Sequence, residues 1–221
     1  MKAFEGVNFI DIKTVYINGD VKIGKGTTIY PCVVIEGTVV IGENCIIGLN
    51  TRIVDSTIGN YTEIQQSVIL ESRVGDNTNI GPFAYLRPNS NIGSHCKVGD
   101  FVEVKNSSLA DGAKASHLTY IGDADVGRDV NLGCGVVFVN YDGANKYRSV
   151  VKDGAFVGCN VNIVSPVVIE EGAYIAAGST VTKDVPAGAL CVAREKQRII
   201  EGWSLRKKKK NKEAERMDIQ K

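Results

Sequence analysis

Aromatic rings, prolines and long apolar stretches are all scarce in this sequence. Phenylalanine, tyrosine and tryptophan make up 7% of its 221 residues, and there are 5 prolines and 2 histidines. No apolar run approaches the roughly 18 residues that a membrane-crossing helix needs. The N-terminal MKAFEGVNFIDIK lacks the apolar stretch of a secretory signal, so a cytoplasmic protein is expected. The six cysteines never occur as C-x-x-C, which argues against a structural zinc site and for reduced thiols rather than a disulfide framework. An apolar content of 43% and a charged content of 23% exclude the disordered and collagen-like classes. The length suffices for one sizeable core.

Glycine, by contrast, is abundant: 24 residues, against a usual share of about 7%. The net charge of +1 conceals a division. From Arg194 onward eleven Lys/Arg stand against five Asp/Glu, so the tail carries about +6 and the body about −5. The expected organisation is therefore a body over residues 1–193 and a basic tail over 194–221, partly helical or disordered. The tail's RKKKKNK run, Arg206 to Lys212, has no interleaved aromatics and no reader motif. It reads as a solvated terminus rather than a nucleic-acid-binding element.

A six-residue period runs through the body. Aliphatic residues recur at Ile23, Ile29, Ile35, Ile41, Ile47 and Ile53, continue at Ile58, Ile64 and Leu70, then at Ile80, Leu86, Ile92, Val98 and Val104, and close from Val151 to Val181. Four residues after most of them stands a small or β-branched residue, among them Thr27, Val33, Cys45, Ala84, Cys96, Val161 and Ser179. Neither a helix (period 3.6) nor a simple strand (period 2) repeats in this way. Short strands joined by tight corners do, with glycine after many of the aliphatics expected to supply positive φ at the corner. Three hexads make one coil of about 18 residues, and the β-branched richness suits stacked parallel strands. The period lapses at Val139–Val150, where a loop is expected to leave the prism.

This pattern resembles the hexapeptide-repeat proteins, which implies an all-β, left-handed parallel β-helix; about nine coils fit between Ile17 and Thr182. The hand is an exception to the usual crossover rule. The two histidines fall short of the three metal ligands of a hexapeptide-repeat carbonic anhydrase, and no metal site is expected. His95 reads as an exposed corner residue. His117 lies two positions past the inward Ala115, beside Lys114 and Tyr120, and spacing alone leaves open whether it is catalytic.

More specific are GPFAYLRP, VGDFVEVKNSSL, ASHLTYIGDADVG, VNLGCG, VNYDGANKY and AAGSTVTKDVP followed by EGW. From about Gly6 to Trp203 the sequence resembles the acetyltransferase domain of the bacterial bifunctional N-acetylglucosamine-1-phosphate uridyltransferase/glucosamine-1-phosphate acetyltransferase family. The resemblance implies His117 as general base on a sugar amine, and Arg87, Lys105, Tyr120, Asn131 and Lys146 as sugar-phosphate contacts. It places Asn140 and Tyr141 between acceptor and acetyl-CoA, and Cys134, Cys159, Ala177 and Arg194 along acetyl-CoA. It also implies a homotrimer with sites between subunits, and a chain beginning near the family's second domain, without uridyl transfer.

The chemistry favours these residue types independently. An amine attacks a thioester only when neutral, so a base near neutral pKa is required. Developing oxyanion charge needs a donor, for which a main-chain N–H near Cys134 is a candidate. A phosphate dianion calls for Arg and Lys, and Lys183, Lys196 and Arg198 are further cations for coenzyme A. Cys45 and Cys96 sit on the inward stripe as core residues, whereas Cys134 and Cys159 lie off it and need no covalent role. The competing readings are an acyltransferase for a different amino sugar and a non-catalytic solenoid binding module. A scaffold has no need of the polar set around His117.

Overall fold

The computed structural model describes residues 4–206. The chain winds into a left-handed parallel β-solenoid of about ten turns. One face of the prism carries eleven short strands, from Asn8–Phe9 through Thr28–Ile29, Ile46–Ile47 and onward to Leu190–Cys191. The strands of the other two faces merge where Tyr16–Ile23 and Val34–Ile41 run round a corner without a break. Every pairing between these strands is parallel and joins a residue to its counterpart one coil later, as in Lys97↔Lys114↔Asn131.

The two inward stripes are the core. Ile29, Ile35, Ile41, Ile47, Ile53, Ile58 and Ile64 are all buried, as are Thr27, Val33, Val39, Cys45, Thr51, Ala84, Cys96 and Val161. The expected register fails at one hexad. Leu70 is only half-buried, and Ile69 lies inside instead, in register with Ile53 and Leu86. A second five-residue step follows Ile64, so the continuation runs Ile64, Ile69, Val74 and Ile80. Most polar members of the small stripe find partners across coils, the buried Thr51 hydroxyl being the exception among the described residues. Thr27 Oγ1 donates to the Gly42 carbonyl at 2.8 Å, Cys45 Sγ to Gly59 at 3.0 Å and Thr62 Oγ1 to Gly75 at 2.8 Å. Burial pushes the Cys96 thiol up to about 11, which keeps it a neutral donor inside the prism.

Most of the glycines that follow the aliphatics serve a different purpose from the one expected, Gly81 at φ 95° being an exception. Gly42 and Gly59 do not have positive φ. A Cβ on Gly42 would stand 2.7 Å from the carbonyl carbon of Gly59, and one on Gly59 would stand 2.6 Å from that of Gly75. Glycine is needed here because successive coils touch backbone to backbone. The left-handed residue sits two positions further on and is filled by Asn44, Asn50, Asn77 and, as foreseen for an exposed corner, His95 at φ 58°, and by glycine itself at Gly26, Gly112, Gly135 and Gly178.

Strands of the eleven-membered face recur every 16 to 20 residues except once, between Asn131–Leu132 and Phe156–Val157. The surplus there is the expected loop. It leaves after Val137–Val139, closes on itself through an antiparallel bridge between Tyr141 and Lys146, and rejoins at Ser149–Val151. After Leu190–Cys191 the chain leaves the prism, and residues 203–206 form a helical turn. Of the Lys-rich run only Arg206 lies within the described residues. No helix among the described residues is long and apolar enough to cross a membrane.

Candidate functional site

Because corner positions stack coil upon coil, residues distant in sequence form lanes along the prism edges. One lane collects His117 and most of the residues matched to acetyl-CoA. Asp100 pairs in register with His117. The pairings Ala115↔Leu132 and Tyr120↔Val137 on either side carry the same offset on to Cys134. Cys134 is followed by Cys159, whose neighbours pair as Leu132↔Val157. Gly178 N–H donates to the Cys159 carbonyl at 2.8 Å, and Arg194 Nη1 donates to the Ala177 carbonyl at 2.6 Å. Asp100, His117, Cys134, Cys159, Ala177 and Arg194 thus stand on successive coils.

His117 ends the strand Lys114–His117 and is exposed, and its Nδ1 lies 2.5 Å from Asp100 Oδ1. The hydrogen bond to His117 holds the Asp100 carboxyl below the usual carboxylate range. Asp100 was absent from the residues expected from sequence. The signal that finds it is the coil length: it precedes His117 by 17 residues, one turn of the solenoid. The Cys134 N–H has no acceptor among the described residues.

A second constellation forms at the next corner. Tyr120–Gly122 crosses the intervening face and turns at Asp123, whose backbone is left-handed at φ 50°. Asn106, Asp123 and Asn140 stack as a polar ladder, with Asn106 Nδ2 donating to Asp123 Oδ1 and Asn140 Nδ2 to Oδ2, each at 2.5 Å. Lys105 Nζ stands 3.7 Å from the same carboxylate. Burial alone would raise the Asp123 pKa, but the two amide donors and the lysines at 105 and 146 outweigh it and keep the group ionised. The loop brings Lys146 beside Lys105, whose ammonium pushes Lys146 below the ordinary lysine range. Two cations held together in this way favour an added anion. Arg87 precedes Lys105 by one coil and is tied by Nη1 to Glu103 Oε1 at 2.8 Å.

Gly122 makes the ladder's geometry possible, since a Cβ there would meet the Tyr120 hydroxyl at 2.4 Å and Asn140 Nδ2 at 2.8 Å. Arg148, also missed from sequence, pins the loop's return. Its Nε and Nη2 each donate to Asp125 at 2.6 Å, and its Nη1 donates to the Asn106 carbonyl at 2.9 Å. Asn140 and Tyr141 belong to this corner and loop rather than to the cysteine lane. Asn140 is buried, whereas Tyr141 is exposed and its hydroxyl donates to the Gly143 carbonyl. Asn131 lies on the outer surface of the eleven-stranded face, between Lys114 and Phe156.

A family model for "Bacterial transferase hexapeptide (six repeats)" matches residues 71–106 and 148–183, and one for "GMPPB C-terminal domain" matches residues 12–87. The chain thus carries repeats of the bacterial transferase hexapeptide type over those two segments. It is similar to proteins named bifunctional protein GlmU. The one from Clostridioides difficile (strain 630) is 59% identical over 206 residues, which cover 93% of this chain and 45% of that protein. Those from Clostridium beijerinckii and Alkaliphilus oremlandii are 58% and 59% identical, covering 92% and 91% of this hexapeptide-repeat chain and 45% and 44% of theirs. The chain thus spans a little under half the length of the relatives it matches.

Proposed function

We propose that this hexapeptide-repeat chain transfers the acetyl group of acetyl-CoA to the amine of glucosamine-1-phosphate, giving N-acetylglucosamine-1-phosphate and free coenzyme A. The observation that carries the reading is the pair of adjacent corners. A histidine–carboxylate dyad opens one lane, and across a single prism face, with Tyr120 between them, Lys105 and Lys146 stand side by side with Arg87 one coil earlier. A phosphorylated amino sugar spans such a face with its phosphate toward Arg87, Lys105 and Lys146 and its amine toward His117.

In this reading Asp100 accepts from Nδ1–H, which leaves the Nε2 lone pair free to take the proton from the attacking amine. The new C–N bond forms as negative charge develops on the carbonyl oxygen, which the unpaired Cys134 N–H is placed to receive. When the C–S bond breaks, the proton on His117 passes to the departing thiolate. Cys159, Ala177 and Arg194 extend the same lane for the pantetheine arm and the anionic end of coenzyme A. Asn131, Asn140 and Tyr141 border the acceptor and the donor. No acyl-enzyme is needed, because a neutral amine attacks a thioester directly.

The test is thiol release from acetyl-CoA with glucosamine-1-phosphate, glucosamine or serine as acceptor. Release with the phosphorylated sugar well above the other two is expected, and its absence would overturn the reading. His117→Ala should lower turnover by about two to four orders of magnitude. A near-wild-type rate would assign the proton transfer elsewhere.

A further inference from the structure

Six free thiols are distributed very unequally over the solenoid. Cys45 and Cys96 are buried and donate to backbone carbonyls, Cys191 packs against the core, and Cys32 stands alone on an exposed corner. Cys134 and Cys159 differ from all of these. They are separated by 25 residues of chain but occupy the same corner position of adjacent coils. The loop accounts for the extra length. The ladder continues through both residues: Gly133 N–H donates to the Val157 carbonyl and Asn160 N–H to the Cys134 carbonyl, each at 2.8 Å. Adjacent strands of a sheet lie about 4.8 Å apart, inside the Cα separation of about 4.4–6.8 Å at which two cysteines can share a bridge.

Both thiols are open to a reagent, since Cys134 is half-buried and Cys159 exposed. Neither Sγ has a hydrogen-bond partner among the described residues. No group of three or more His, Cys, Asp or Glu that could hold a metal ion occurs among the described residues, so two sulfurs act without a hard oxygen or a further nitrogen donor. Soft sulfur pairs of this kind select thiophilic ions over magnesium, calcium or manganese.

We propose that Cys134 and Cys159 form a chelating dithiol site for thiophilic metalloid ions of the trivalent arsenic class. With an arsenoxide, two S–As bonds form while the two thiol protons and the arsenic-bound oxygen leave as one water, and no atom changes oxidation state. The chelate closes the lane between His117 and Ala177. That consequence, unlike the chelation itself, rests on the acetyl-transfer reading.

The experiment uses phenylarsine oxide and intact-mass spectrometry on the folded protein. One adduct per chain is expected that survives excess mercaptoethanol and is removed by dimercaptopropanol. Cys134→Ser and Cys159→Ser should each retain the arsenical about a hundredfold less tightly, as expected when a bidentate attachment becomes monodentate, and Cys32→Ser should retain it fully. Circular dichroism of each variant identifies any loss of fold, and alanine at the same two positions provides a second pair. An adduct stripped by the monothiol, or one that persists in either serine variant, overturns the proposal. Pre-incubation with acetyl-CoA should protect the pair. Chelation without protection would remove the acyl donor from this lane and leave the dithiol site standing.

Discussion

At the scale of single residues, the most consequential contact is one between two coils. Asp100 and His117 meet because the backbone ladder sets them side by side, so the carboxylate fixes the imidazole without any packing around it. Its depressed pKa means that the ionised carboxylate, and its hydrogen bond to the imidazole, is present above the ordinary carboxylate range and is lost as pH falls through the lowered value. Asp100→Asn is expected to reduce kcat about tenfold, a part of the 10²–10⁴ that acid–base catalysis supplies, with KM for the sugar little changed. An unchanged kcat would leave Asp100 a surface partner only. His117 and the cationic residues stand out as candidates in the sequence because they sit in specific motifs. Asp100 was not, since its role emerges only when hexads are summed into coils and a separation of 17 residues becomes contact. Arg148 escaped for the same reason: its partners Asp125 and Asn106 lie in other coils.

At the scale of the element, the hexad is a rule about facing, and it tolerates five-residue steps that composition does not announce. The sequence places Leu70 inward, the structure places Ile69 there, and the two adjacent aliphatics are indistinguishable by type. Truncation distinguishes them: Ile69→Ala should cost about 2–5 kcal/mol, the range for a buried large-to-alanine change, and Leu70→Ala clearly less. Chemical denaturation of both variants checks this, and equal losses would contradict the assigned register. Glycine was likewise read correctly as a requirement of the corner, but positive φ is the cause only at some positions, such as Gly26 and Gly112, and not at Gly42 or Gly59. Positive φ is visible as a local preference, whereas the approach of the next coil's backbone is a property of two elements at once. The loop was recognisable as an interruption of the period, yet its internal bridge and its placing of Lys146 beside Lys105 depend on contacts that no local pattern encodes.

At the scale of the whole molecule, the candidate residues occupy the coils from Arg87 to Arg194, and the site is open on its outer side. Phe83 and Phe101 stack with ring centroids 5.4 Å apart, and both are exposed on the corner that continues to Leu118, next to His117. The uncovered apolar edge beside the dyad fits the homotrimer implied by the family resemblance, in which a neighbouring subunit closes each site. Light scattering should give three times the chain mass of 23.8 kDa, and a fully active monomer would contradict this assembly.

The coil step also makes the molecule a ruler graduated in one unit. Each candidate residue's position is set by counting turns, and no candidate stands in the turns before Arg87. Excising residues 24–41 joins Ile23 to Gly42, a cut of one full turn between positions that are already in register. The shortened protein should close its ladder, lose one turn of length and retain turnover, whereas removing a few residues fewer from the same place should rotate every later lane off its corner. Length in the early turns is thus free to vary in whole turns without disturbing the chemistry, while in the later turns the same freedom would separate Asp100 from His117.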